Sequence, residues 1–140
     1  MKKLLSFTLA LVLILSCAAL VSCNTNDIAG IYEMVSVSGT VSYGGQTVEL
    51  GKDLYDYYRI TLNKDGTCKI ESKSADSTAK VEQDGTWEYE DDLLKIKSTT
   101  SGVTVVEEMQ WKDGVITYDA KQSASGMTIN MHLVLERQSK

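Results

Sequence analysis

The chain of 140 residues has no proline and one histidine, and of its three cysteines only Cys68 lies far from the N-terminus. Without proline, reversals fall to glycine, asparagine, aspartate and serine, whose backbones tolerate tight turns. A lone histidine, His132, with no Cys or acid partner apparent, does not make a metal site, so none is expected. Nor does it serve nucleophilic catalysis, which needs a base beside an activated hydroxyl or thiol. No serine sits in a Gly-x-Ser-x-Gly elbow, and no glycine-rich loop ends in Lys-Ser or Lys-Thr. The carboxylates Glu107 and Glu108 are adjacent, and neighbours on a strand point to opposite faces, so they do not converge as an acid/base pair. No enzyme activity and no cofactor are expected.

Basic charge is also scarce, with 14 Lys and Arg against 19 Asp and Glu. An acidic surface does not seek nucleic acid. A sustained 3.6-residue apolar period is missing as well, whereas alternation and turn chemistry recur throughout. This pattern is that of an all-β domain.

Strands are expected at Gly30 to Val37, at Thr40 to Tyr43 and Gln46 to Leu50 around Gly44-Gly45, and at Tyr58 to Leu62. Asp53 to Tyr57 is compatible with a short helical turn. Asn63-Lys64-Asp65-Gly66 reads as a type I turn with glycine at its left-handed position, returning through Thr67 to Ser72. Ser72 to Thr78 is the polar loop. Further strands are expected at Ala79 to Gln83, Thr86 to Glu90, Leu94 to Ser98, Val103 to Trp111, Val115 to Lys121 and Met127 to Glu136. A weak repeat, Asp65-Gly66, Asp84-Gly85 and Asp113-Gly114, suggests three turns each followed by a strand. The acidic tip Glu90-Asp91-Asp92 lacks the spaced oxygen ligands that calcium requires. Cys68 shares a face with Ile70 and is expected to be a buried thiol.

Eight to ten short strands without crossover helices imply an antiparallel up-and-down meander, and closure into a roughly eight-stranded barrel removes its exposed edges. Such a barrel is filled by side chains or admits one small ligand. Trp87, Tyr89, Trp111 and Tyr118 are the candidate pocket-lining aromatics, each with an apolar face and a polar tip. Ordinary core is the competing role for all four.

The N-terminus carries Lys2 and Lys3, an apolar run from Leu4 to Leu15, then small and apolar residues to Ser22. This is the layout of a secretory signal, too short for a permanent span, over residues 1–22. Leu20-Val21-Ser22-Cys23 resembles the bacterial lipobox; Ile14-Leu15-Ser16-Cys17 fits it less well. The resemblance implies lipidation of Cys23, a tether over 23–27, and a protein held at the bacterial cell envelope, outside the cytoplasm, by its lipid anchor. Asn24 after the cysteine resembles lipoproteins not retained in an inner membrane. Loss of Lys2 and Lys3 leaves 12 basic against 19 acidic residues, a formal charge of −7.

Gly30-Ile31-Tyr32 and Arg137 resemble the Gly-x-Trp start and closing arginine of lipocalins, with tyrosine in place of tryptophan. That resemblance implies that Tyr32 and Arg137 pack together to close the barrel floor. Asn63 to Thr67, Asp84 to Tyr89 and Leu93-Leu94-Lys95-Ile96 also resemble the small lipocalin-like domains of bacterial lipoproteins, over residues 28–138. The function so implied is an anchored barrel, in contact with the membrane through lipidated Cys23, that binds a small apolar or amphipathic ligand. The alternative is a surface-displayed module for protein interaction or inhibition, with an envelope protein as partner.

Overall fold

The computed structural model describes residues 27–139. The expected signal, Cys23 and all of the tether except Asp27 lie outside them. Nine antiparallel strands follow one another: β1 (Gly30–Tyr43), β2 (Gln46–Leu50), β3 (Tyr55–Leu62), β4 (Thr67–Ser74), β5 (Val81–Glu90), β6 (Leu93–Thr100), β7 (Val103–Lys112), β8 (Val115–Ala124) and β9 (Met127–Arg137). A 3₁₀ turn, Lys52–Leu54, joins β2 to β3. From β3 to β9 each strand pairs with the next, and β9 returns to β1, which also pairs with β3. The result is an eight-stranded barrel with β2 as an extra strand.

Turn chemistry sets this order. Gly44-Gly45, Asp91-Asp92, Ser101-Gly102, Asp113-Gly114 and Ser125-Gly126 all have positive φ at both positions. Such turns match the right-handed twist of the strands they join. At Asn63 to Gly66, the Asp65 carboxylate accepts both the Thr67 amide and hydroxyl, at 2.9 and 2.6 Å. That leaves Gly66 in the left-handed region that ends the turn.

Two expected breaks are absent. Gly30 to Val37 and Thr40 to Tyr43 form one strand, β1, whose register shifts between Met34 and Ser36 and whose Gly39 has a φ of 137°. The bulge and the glycine bend the strand without ending it. Asp84-Gly85 is likewise no turn: it lies inside β5, with Gly85 opposite Cys68 on one side and Ser98 on the other. A Cβ there would sit 2.5 Å from the Lys97 carbonyl oxygen, so glycine serves close strand approach. The polar loop lies at 75–80 and not at Ser72 to Thr78, because β4 runs on to Ser74 and β5 begins only at Val81.

Alternation places Tyr32, Met34, Ile60, Leu62, Cys68, Ile70, Trp87, Leu94, Ile96, Met109, Ile116, Leu133 and Leu135 inside. All of these belong to the half of the barrel that holds Ile28, Arg137 and the Asn63, Asp91 and Asp113 turns. Buried apolar area contributes roughly 25 cal/mol per Å², so this closed half holds the fold together.

The other half is split. The β1–β3 ladder covers only Gly30 to Glu33, and β2 pairs only with Gly39 to Tyr43. The β7–β8 ladder covers only Gln110 to Lys112 against Val115 to Thr117. Beyond these limits the wall parts along two seams into two leaves, β2-β1-β9-β8 and β3-β4-β5-β6-β7.

Candidate functional site: the open end of the barrel

Interior positions continue past the core into the split half, where they no longer meet partners. Tyr43, Val48, Val81, Val103, Val105 and Met127 all belong to the inward set by register, yet all are exposed, Val103 to 64% and Val81 to 61%. They account for six of the nine large apolar side chains exposed among the described residues. Apolar surface left exposed on the inner face of the wall marks a place for a partner or ligand.

The floor of this mouth is a polar layer set on the core. Tyr118 on β8 donates its hydroxyl hydrogen to Glu107 on β7, 3.0 Å away. This bond spans the seam where the backbone ladder has stopped. Tyr58 on β3 lies close by and meets Tyr55 edge-on, with ring centroids 6.1 Å apart. Burial pushes the Tyr58 phenol well above its ordinary range, with further upward pushes from Glu107 and Tyr118. Tyr118 is pushed up to about 12, first by burial and then by Glu107. Gln83 donates to Ser98 and Thr100 at 2.8 and 2.9 Å, completing the polar rim.

The four aromatics expected to line a pocket do not meet in one place. Trp87 is buried in the closed half, its indole N–H donated to the Asn63 carbonyl at 2.8 Å. Tyr89 and Trp111 pack edge-on, 5.8 Å between centroids, beside a groove of about 650 Å³ at the closed end with Asp91, Asp92 and Lys112. Only Tyr118 reaches the open end. Of its companions there, Tyr58 was legible as inward from the alternation Tyr58, Ile60, Leu62. Glu107 and Glu108 do face opposite ways, but only the strand register assigns the sides: Glu107 points inward opposite Ile96, and Glu108 outward opposite Lys95.

At the closed end, Tyr32 and Arg137 sit opposite one another across β1 and β9. Tyr32 donates to the Ile28 carbonyl at 2.5 Å and accepts the Trp111 indole N–H at 2.9 Å. The Arg137 guanidinium donates to the carbonyls of Asp27, at 2.7 Å, and Ala29. Cys68 is buried, and burial, helped by Asp84, pushes its thiol up to about 11. His132 does find an acid partner, Asp119, 2.6 Å away across β8 and β9. No cluster of three or more His, Cys, Asp or Glu able to hold a metal occurs among the described residues.

Comparisons with protein families, curated proteins and solved structures find no match.

Proposed function

We propose that this chain is a membrane-anchored lipoprotein of the bacterial envelope, of lipocalin-like kind, whose barrel takes a small apolar or amphipathic ligand through its open end. The observation that carries the binding reading is the set of inward yet exposed side chains, Val81, Val103, Val105 and Met127 above all. A filled structural barrel would zip its ladders to the rim and bury them, as the closed half does. The lipobox resemblance at Cys23 supports the anchor, and the Tyr32 and Arg137 positions support the lipocalin likeness.

Native mass spectrometry of the protein released from its source membranes, before and after denaturation, tests the binding reading. A small-molecule mass lost on denaturation is expected; its absence after incubation with a lipid extract of those cells would overturn it. Substituting Cys23→Ser is expected to move the protein out of the membrane fraction, and unchanged fractionation would remove the anchor.

The unpaired edges of β7 and β8 beside exposed Val106 favour a second reading, an envelope protein that adds a strand at the seam. Crosslinked membranes that yield no reproducible partner would count against it.

A further inference from the structure

The charge at the floor of the open end restricts what can bind there. Glu107 is an inward carboxylate that forms no ion pair among the described residues, whereas every Lys and Arg ion pair described lies on the outer surface. Its hydrogen-bond partner is the neutral Tyr118 hydroxyl. A half-buried carboxylate on the inner face with no basic partner offers its charge to a cationic ligand. Tyr118 is hydrogen-bonded to this carboxylate, and Tyr58, edge-on to Tyr55, lies near enough to both to feel the Glu107 charge. Aromatic faces attract ammonium groups, most strongly where water is displaced. Above them rises the apolar wall of Val81, Val103 and Val105.

An anionic headgroup would be repelled by Glu107, and a neutral one would leave the carboxylate without a counter-charge. We propose that the open end selects amphipaths whose polar end is a cation, an amine or quaternary ammonium, held by Glu107 between Tyr58 and Tyr118 with the apolar chain on the valine wall. This rests on the ligand-binding reading above and names the class of ligand.

The test is calorimetric titration of the full protein in lipid nanodiscs, with empty discs as blank, using hexyltrimethylammonium, hexanol and hexanoate. The ammonium is expected to bind best and hexanoate least. Glu107→Gln should weaken the ammonium by about tenfold and leave hexanol unchanged. Hexanoate or hexanol binding as tightly as the ammonium, or an ammonium affinity indifferent to E107Q, would overturn the charge selection while leaving ligand binding intact. No binding by any of the three would overturn both. Should E107Q fail to fold, Tyr58→Leu against Tyr58→Phe reads the same site: loss of ammonium but not hexanol binding in Y58L alone supports the proposal, and equal loss of both ligands overturns it.

Discussion

Tyr32 shows how a single hydroxyl joins several elements at the closed end. It donates to the Ile28 carbonyl while accepting the indole N–H of Trp111, tying the residues just before β1 to β7. Tyr32→Phe keeps the ring but leaves two polar groups without partners. An expected loss of about 2 kcal/mol follows from that asymmetry, measurable by urea unfolding. Tyr118 works differently, because burial first and the Glu107 charge second hold its phenol neutral. Its pKa is raised from 10.0 to about 12, so the folded chain keeps a proton that the unfolded chain gives up. This contribution is whole below pH 10 and is lost as the pH rises to about 12. Tyrosinate absorbance should show Tyr118 ionising late in the wild type and earlier in E107Q, where the negative charge is gone. An unchanged titration curve in E107Q would mean that Glu107 does not govern Tyr118.

Strands bend or break according to what one residue allows. Gly39 keeps β1 continuous: its φ of 137° and the Asn130 carbonyl oxygen 2.0 Å from any added Cβ leave room for nothing larger. Gly39→Ala combines strain with a backbone clash, and a loss of about 3 kcal/mol or more is expected. The same denaturation curves check it, against Gly102→Ala, where φ is also positive, at 80°, but an added Cβ meets open space. Much of this level was legible beforehand. Alternation and the paired-turn residues identified the meander, its closure and most strand ends. What could not be read was that Asp84-Gly85 and Gly39 sit inside strands. A glycine that serves close approach is chemically the same residue as one that makes a turn, and only the neighbouring strand distinguishes them. The site suffered from the same blindness. Alternation puts Tyr118 and Tyr58 on inward faces, but their convergence with Glu107 depends on where the β7–β8 ladder stops, which is a property of two strands together.

The whole molecule is thus a barrel of unequal halves, one packed and one parted, and stability should follow the division. Half of the β7 amides between Val103 and Met109 face the seam and lack a strand partner there. They are expected to exchange with solvent rapidly. Amides that pair with neighbouring strands around Leu94, Ile96, Ile116 and Leu135 are enclosed by the core and should exchange only through global unfolding. Hydrogen exchange read by mass spectrometry or NMR would display the contrast along single strands, since β7 and β8 each run from the packed half into the parted one. Uniform protection along β7 would mean that the seam is zipped in solution. The valine wall would then have no mouth, and the reading of this end as a binding site would fall with it. A gradient from slow to fast towards the Ser101-Gly102 and Ser125-Gly126 turns would instead mark this end as a region where a ligand can enter without unfolding the core. Hexyltrimethylammonium should then slow exchange in β7 and β8 near Glu107 and Tyr118 while leaving the closed half unchanged.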